Sequence, residues 1–355
     1  MGMYLFLIFA AITLAAVMKI ATQNHYKRGI YLFIIFFALI FVSCFRKDTV
    51  GGDLQNYIPL FESAKYSSWS EYLSLPKYGF IFLIYNKLLC SIGDNYTVLL
   101  IGTSLFNLIA VAVFVKRYSL IPWLSIVIYI CMGFYGRTFN SLRSSMALAI
   151  LLYSIPFILE RKFLKFLIVY ICAFIVHKSV FPFFVAYFFA RRRLPLKIMV
   201  PVAAFLFVAA SELSPLLNSI LVLYDPSYIG SETSGGGYAY FMILVAIAIF
   251  CNVFKNKYES PANALLFNML VVGMCIQPFA SQISYINRVV IFFTIALIIV
   301  IPNSVATIKS KDLRLLVESA LLICFVAYFV NVDMRIDPAT GTNNQAVIPY
   351  LFAWQ

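Results

Sequence analysis

The stretch NSLRSSMALAILLYSIPFILERK, residues 140–162, decides the class of fold. Its centre is apolar over the length that crosses the hydrocarbon core of a bilayer, which takes about 20 residues in a helix, and we expect a membrane-spanning helix over 143–159. The pattern places Arg143 at the front edge of this helix. A charged side chain is costly there, so it marks either a headgroup anchor or a functional site.

Apolar runs of this kind recur from the first residues to about residue 331. The chain of 355 residues is 63% hydrophobic and 12% charged, with a mean hydropathy of +0.93. Soluble domains are about 45–50% apolar and about 25% charged. No gap between the runs is long enough for a separate water-soluble domain, so residues 1–355 are expected to form a single integral membrane domain.

The runs predict an all-α polytopic membrane protein with about twelve transmembrane helices. The predicted spans are 3–22, 29–45, 97–115, 119–135, 143–159, 163–177, 179–190, 198–216, 238–254, 262–280, 286–305 and 313–331. The first span lacks the basic start and cleavage site of a signal peptide and is expected to be retained. A further apolar piece, 79–92, is only about 14 residues long, or roughly 21 Å, and is interpreted as a re-entrant or interfacial segment.

The lysines and arginines of the loops predict the orientation. With the strongly basic loops in the cytoplasm, that side carries 17 basic and four acidic residues, and the other side carries ten of each. This topology accounts for the net charge of +13 without nucleic acid as a partner. It places both termini on the non-cytoplasmic side, together with an outer amphipathic loop at 46–78, a second loop at 217–237 and the tail 332–355.

A hairpin around AFIVHKSVFPFF, residues 173–184, carries His177 and Lys178 at its tip. Its two arms, the predicted spans 163–177 and 179–190, offer roughly 15 and 12 apolar residues, or about 18–22 Å each. Arms of that length do not reach the far surface of a core about 30 Å thick. The tip is therefore expected to be recessed and to form the floor of a cavity that opens to the outside.

Several arginines face the same compartment in this topology. Arg143 and Arg288 stand at the outer ends of spans, where the positive-inside bias should deplete arginine, and we interpret them as walls of the cavity. A guanidinium fork matches phosphate oxygens in bidentate geometry, so the pattern indicates an anion site. The alternative for each is an arginine that extends to the lipid headgroups, which is the favoured interpretation of Arg137.

One histidine and one aspartate are candidates for acid–base chemistry. His177 is one of only two histidines in the chain, and its alternative role is that of a hydrogen-bonded core side chain. Asp53 follows two glycines that let the backbone turn tightly in RKDTVGGDLQNY, residues 46–57. Its alternative role is to cap the helix that follows it. With no D-x-D pair and no carboxylate cluster, the sequence predicts no metal site and no cofactor.

These elements, in their order, resemble the EpsG-like, Wzy-type polysaccharide polymerases. The resemblance covers most of the chain and rests on an arginine before the GGD-x-x-x-Y element at 51–57, on NSLRSSMALAI at 140–150, on AFIVHKSVFPFF, on an outer arginine and on a PY pair at 349–350. It implies a multi-pass bacterial enzyme of the inner (cytoplasmic) membrane. Such an enzyme joins oligosaccharide repeat units carried on undecaprenyl pyrophosphate, at the periplasmic face.

The resemblance also implies partners and site residues. The partners are the lipid-linked glycan donor and acceptor, membrane lipid, and a flippase and a chain-length regulator of the same O-antigen or capsule pathway. The residues assigned to pyrophosphate binding are Arg143, Arg288, Arg46 and Lys178. His177 is the first candidate for activating the acceptor hydroxyl, and Asp53 is the second. The residues expected to line the substrate site are Tyr57, Arg137, Asn140 and Tyr350.

Three other functions fit parts of the pattern. A ligase that moves a finished glycan from its carrier lipid to lipid A core would use the same chemistry with a different acceptor. A flippase or transporter of the lipid-linked unit would also bind pyrophosphate, although the sequence has no visible internal repeat of the kind that many transporters carry. A scaffold within the assembly complex has no need for recessed arginines.

Overall fold

A computed structural model describes residues 1–18, 25–75, 77–189, 192–224, 237–255, 259–280, 282–283, 285–343 and 345–355. Over these ranges the chain forms helices and no β-strand, apart from two isolated bridges. One apolar core runs through the helix bundle, from Tyr4 near the N-terminus to Ile348 in the tail. The predicted all-α class is confirmed.

The helices follow the order of the apolar runs. They are α1 (Gly2–Val17), α2 (His25–Cys44), α3 (Leu54–Tyr66), α4 (Trp69–Leu73), α5 (Phe80–Cys90), α6 (Tyr96–Tyr118), α7 (Pro122–Cys131), α8 (Phe134–Asn140), α9 (Leu142–Leu159), α10 (Phe163–Val176), α11 (Leu196–Tyr224), α12 (Gly237–Val253), α13 (Pro261–Ala280), α14 (Ile286–Thr294), α15 (Leu297–Val305) and α16 (Lys311–Tyr328). A 3₁₀ helix (Lys178–Phe188) lies between α10 and α11, and a π-helical turn (Phe329–Asp333) extends α16.

Seven helices in the described part of the chain are long and apolar enough to cross a membrane. They are Tyr26–Cys44, Tyr96–Tyr118, Leu142–Leu159, Leu196–Ile220, Pro261–Ala280, Ile286–Val305 and Lys311–Asp333. The expected count of about twelve is not confirmed, because the other apolar helices have only 10–17 residues. The predicted span 119–135, for example, is interrupted at Gly133, whose φ of +72° separates α7 from α8.

Two contacts show that α2 and α6 run antiparallel. Arg28, near the start of α2, donates to the carbonyl of Ser119, which follows α6. At the other end of α2, the hydroxyls of Ser43 and Ser104 lie 2.6 Å apart. The chain between the two helices therefore leaves and returns at the same end of the bundle. Since α5, at 11 residues or roughly 16 Å, makes no net crossing, the interpretation of 79–92 as a re-entrant or interfacial segment is supported.

The lysine inside this apolar segment stabilises the loop before it. Lys87 donates through Nζ to the carbonyls of Ala64 and Ser67, at the end of α3. The last carbonyls of a helix have no partner within the helix, and a cation there also interacts favourably with the helix dipole. Lys87 therefore caps α3 and ties the two arms of the 46–90 segment together.

The C-terminal tail packs against the start of the 46–78 loop. The backbone N–H of Lys47 donates to Leu351 O (2.9 Å), and that of Gly51 donates to Ala346 O (2.7 Å). At the N-terminus of the chain, the hydroxyl of Tyr4 donates to Val347 O (3.1 Å). The N-terminus, the 46–78 loop and the tail therefore lie at one end of the bundle, as the predicted topology requires.

The hairpin of α10 and the 3₁₀ helix is closed at its base. The guanidinium of Arg161 donates to Tyr187 O (2.9 Å) and Phe189 O (3.2 Å), and the hydroxyl of Tyr187 donates back to Arg161 O (3.0 Å). α10 has 14 residues and its neighbour α9 has 18, or roughly 21 and 27 Å. The tip at His177 therefore ends short of the outer end of α9, and the short-hairpin prediction holds for its length.

The predicted loop 217–237 begins within a helix, because α11 continues to Tyr224. The remainder of that loop, residues 225–236, lies outside the described residues.

Candidate active site

A cavity of about 220 Å³ lies where the hairpin tip, α9, α14 and the 46–78 segment meet. Five of the residues predicted for the site line it: Asp53, Tyr57, Arg143, His177 and Arg288. They come from segments that are far apart in the sequence. The structure therefore brings together the two arginines at span ends, the hairpin histidine and the aspartate of the GGD element.

Arg143 is held in place by the segment that precedes α5. Its Nε donates to the hydroxyl of Tyr57 (3.3 Å), and its Nη1 donates to Lys77 O (2.9 Å). Its guanidinium also lies 5.0 Å from the centre of the Tyr78 ring, within range of a cation–π interaction. Because a guanidinium has five N–H donors, these contacts fix its position and leave donors for an anion in the cavity.

Arg288 lines the cavity from the first turn of α14, and its side chain is exposed. Within the described ranges its guanidinium makes no hydrogen bond and no ion pair. An exposed guanidinium, which is only weakly hydrated, can turn toward an arriving anion without breaking an existing contact. Arg288 is therefore an adaptable cation beside the fixed Arg143.

His177 lies between α10 and the 3₁₀ helix, outside the seven membrane-spanning helices. The backbone N–H of Ser179 donates to its Nδ1 (3.2 Å), and the Ser179 hydroxyl lies 2.6 Å from the same atom. A ring nitrogen that accepts from a backbone N–H carries no proton, so the neutral ring has its proton on Nε2. Burial, and then the charges of Arg143 and Arg288, lower the pKa of His177 to about 3. His177 is therefore a neutral hydrogen-bond donor in this arrangement.

Asp53 stands at the N-cap position of α3, but its side chain makes no capping hydrogen bond. Asp53 is instead one of the residues that line the cavity. The backbone N–H of Asp53 donates to Oδ1 of Asn140 (2.7 Å), which ties the GGD turn to the break between α8 and α9. Gly51 makes this turn possible, because its φ is +106° and an added Cβ would lie 2.4 Å from Phe139 O. Asn140 is thus a support for Asp53.

Gly79, which directly precedes α5, allows the backbone there to lie very close to the backbone of the hairpin tip. A Cβ added to Gly79 would lie 1.9 Å from Ile175 O and 2.8 Å from Val176 O, directly before His177. Only a glycine allows the two backbones to come this close. The cavity residues Lys77 and Tyr78 depend on this contact for their position.

We expect Gly79→Ala to destabilise the protein by about 1–3 kcal/mol, because α5 must move away from α10. Gly29→Ala is the matched control: an added Cβ there has no atom within 4 Å, and the residue is inside α2. That change should be neutral or stabilising by about 0.5–1 kcal/mol. Thermal unfolding in detergent measures both, and equal midpoints for the two variants would contradict the close contact.

Arg46 does not line the cavity, which corrects its assignment to pyrophosphate binding. Its side chain is fully buried and donates to the carbonyls of Ser43, Val50 (3.2 Å) and Phe139 (3.4 Å). Its guanidinium also lies 4.7 Å from the centre of the Phe139 ring. Arg46 therefore holds the GGD turn against the end of α8 and has no access to a ligand.

We expect Arg46→Met to lower the free energy of unfolding by about 1–3 kcal/mol for each buried carbonyl that is left without a donor. The yield of folded protein should therefore fall strongly. Arg335→Met is the control, since Arg335 is exposed in the tail. Size-exclusion profiles and unfolding midpoints in detergent measure the effect. If the Arg46→Met protein is well folded and has lost only ligand binding, Arg46 is a ligand-binding residue after all.

Three other predicted residues lie away from the cavity. The hydroxyl of Tyr350 donates to Val42 O (2.7 Å), and its ring packs on Tyr4. Lys178 is exposed and is not among the lining residues. Arg137 lines a separate cavity of about 20 Å³ that shares only Ser144 with the larger one. Tyr350 and Arg137 contact other parts of the bundle instead, which depends on packing between distant segments of the chain.

Five lining residues were not found from the sequence: Asn56, Lys77, Tyr78, Ser141 and Ser144. Lys77 and Tyr78 could have been found from the short apolar segment 79–92, which they directly precede. A helix that starts at membrane depth does so beside protein or a water-filled cavity, so the residues before it are candidates for a site. Ser141 and Ser144 flank Arg143 in the chain.

The charge of the cavity indicates the ligand class. Three cationic side chains, Lys77, Arg143 and Arg288, face one carboxylate, that of Asp53, so the net formal charge is +2 with His177 neutral. Within the described residues, no three His, Cys, Asp or Glu side chains are grouped to hold a metal ion. The arrangement fits an anion with several oxygens, close to a carboxylate that can accept a proton.

The fold and the site together define a multi-pass helical membrane protein with a cationic cavity at one end of its bundle. The sequence model of the EpsG family matches residues 29–352, nearly the whole chain. This protein belongs to the EpsG family, a family of Wzy-like polymerases, and the predicted resemblance is confirmed. No curated protein and no solved structure matches the chain. Family membership points to a polysaccharide polymerase of the glycosyltransferase type.

Proposed function

We propose that the protein joins oligosaccharide repeat units carried on undecaprenyl pyrophosphate into a polysaccharide, at the periplasmic face of the bacterial inner membrane. The observation that carries this proposal is the cavity of net charge +2, in which a fixed and an adaptable arginine face an aspartate. The pyrophosphate of a lipid-linked sugar carries one negative charge on each phosphate, which matches the charge of the cavity.

The site can lower the barrier by stabilising the leaving group. Arg143 is already oriented by Tyr57 and Lys77 O, and preorganised donors stabilise developing charge at little cost in reorganisation. Arg288 completes the pair from α14, and guanidinium groups bind phosphate oxygens bidentately. The neutral His177 donates a further hydrogen bond through Nε2.

The transfer step forms one glycosidic bond and breaks one bond to phosphate. An acceptor sugar hydroxyl attacks the anomeric carbon of the donor glycan, and the lipid pyrophosphate leaves with the electron pair of the C–O bond. The hydroxyl proton passes to a base. Asp53 is the better candidate in this geometry, because Nδ1 of His177 is occupied by Ser179 and Nε2 carries a proton. This reverses the order that the sequence favoured.

The orientation rests on charge and on the fold. The cavity lies at the same end as the N-terminus, the 46–78 loop and the tail, while described members of the basic clusters that favour the cytoplasm, such as Arg28 and Arg161, lie at the other end. Arg193, for example, is paired there with Glu259 (2.6 Å). A cavity on the periplasmic side would receive lipid-linked units after their transfer across the membrane.

The test uses purified protein in detergent with lipid-linked repeat units, and products are resolved by size. A ladder of products supports polymerisation. Transfer that occurs only when lipid A core is supplied would replace the proposal with a ligase. If neither product forms, while vesicles containing the protein move the lipid-linked unit between leaflets, the proposal fails in favour of a transporter.

A further inference from the structure

An apolar groove of about 410 Å³ lies beside the cationic cavity. Its walls come from the 3₁₀ helix, α11, the end of α13 and the first turn of α14, and nine of its ten lining residues have no polar side-chain atom, the tenth being Tyr285. Leu216 and Ile220 of α11 form one edge and are 63% and 54% exposed. The groove therefore opens sideways on the outer surface of the bundle, where membrane lipid is the surrounding medium.

The groove and the cavity share two structural elements. In the first turn of α14, Ile286 and Val289 line the groove while Arg288, which precedes Val289, lines the cavity. In the hairpin, His177 lines the cavity and Pro182 lines the groove. Arg288 and Val289 are consecutive residues with Cα atoms about 3.8 Å apart, so the cavity and the groove adjoin along this turn of α14.

α11 is a peripheral wall. In the apolar stretch of α11 that is long enough to cross a membrane, only 11% of the residues are buried. The corresponding share is 67% for α13 and 89% for the Ile286–Val305 span. A groove between a peripheral helix and a core helix is reached from the membrane without crossing the bundle. This arrangement suits a long apolar chain that stays in the bilayer while its head group enters the cavity.

We propose that this groove binds the isoprenoid chain of a lipid pyrophosphate whose head group occupies the cationic cavity. The inference rests on the proposed function and adds the direction from which the lipid enters, between α11 and α14. Charge complementarity selects this occupant over neutral lipid, because Val289 of the groove wall directly follows Arg288 of the cavity in the chain. It also favours a lipid over the helix of a second copy, since a helix would leave the adjacent cations without a partner.

The first test is a binding measurement without turnover. A photoreactive residue replaces Leu216, at the groove edge, and in a control protein it replaces Leu315 of α16, which is equally exposed at 65%. Labelled undecaprenyl pyrophosphate should cross-link at position 216 and not at 315. Unlabelled undecaprenyl pyrophosphate should compete, and phosphatidylglycerol should not. Equal competition by both lipids, or a cross-linked dimer of the protein, would overturn the proposal.

The second test uses chain length. Leu216→Trp, which narrows the groove, should raise KM for an undecaprenyl-linked donor by about tenfold or more, and leave KM for a farnesyl-linked donor with the same glycan unchanged. Leu315→Trp should change neither. An equal effect on both donors would refute the groove assignment while the polymerase stands. A wild-type protein that binds the lipid but transfers no glycan from either donor would refute the polymerase and leave the groove.

Discussion

Arg143→Gln is expected to lower the rate of polymer formation by about 10²–10³-fold, the usual cost of removing one preorganised donor from a developing negative charge. Glutamine keeps a hydrogen-bonding group near the hydroxyl of Tyr57 but removes the charge and the guanidinium fork. Arg143→Lys should lower the rate by a smaller factor, because lysine retains the charge although it lacks the bidentate geometry. The measurement is the initial rate of ladder formation from purified lipid-linked repeats.

The fold should survive these changes, since Arg143 is only partly buried and lies at a helix start. Arg117→Gln is the control, because Arg117 is an exposed arginine at the end of α6. Its rate and unfolding midpoint should match those of the wild type. Wild-type chain length in a well-folded Arg143→Gln protein would remove the central claim about the anion site.

The local part of the site was predictable because it depends on chain length and charge. The hairpin around His177 is shorter than a membrane span, and from that length alone the sequence predicted a recessed tip. Arg143 and Arg288 stand at span ends where the predicted orientation would deplete cations, so the sequence marked them as candidates for a cavity wall. These properties belong to single segments, and the structure brings the segments together at one cavity.

The other features of the site and of the fold could not be predicted, because they depend on contacts between segments that are far apart in the sequence. Whether Arg46 faces a ligand or the protein is decided by Phe139, 93 residues away. Tyr350 points inward because the tail folds back on the end of α2. The count of twelve spans was not confirmed, because hydropathy alone cannot show that Gly133 breaks a run into two short helices. Gly79 was not predicted either, since its role is set by the backbone of α10.

The second large effect is expected at Asp53. If its carboxylate accepts the proton of the acceptor hydroxyl, Asp53→Asn should lower the rate by about 10²–10⁴-fold, the range that a general base contributes. Asparagine has nearly the same shape, and the turn is held by the backbone N–H to Asn140 and by Gly51, so the fold should be retained. Binding of undecaprenyl pyrophosphate alone should be little changed, because the cations remain.

His177→Gln separates the two candidates for the base. If His177 acts as a donor through Nε2, a glutamine amide can replace that hydrogen bond in part, so His177→Gln should lose less activity than either His177→Ala or Asp53→Asn. Because the pKa of His177 is lowered to about 3, the ring stays neutral as pH falls from 8 to about 5.5. The rate should then show no decline through the ordinary histidine range near pH 6.5. A decline there that vanishes in His177→Gln, together with a milder loss in Asp53→Asn, would reverse the assignment and make His177 the base.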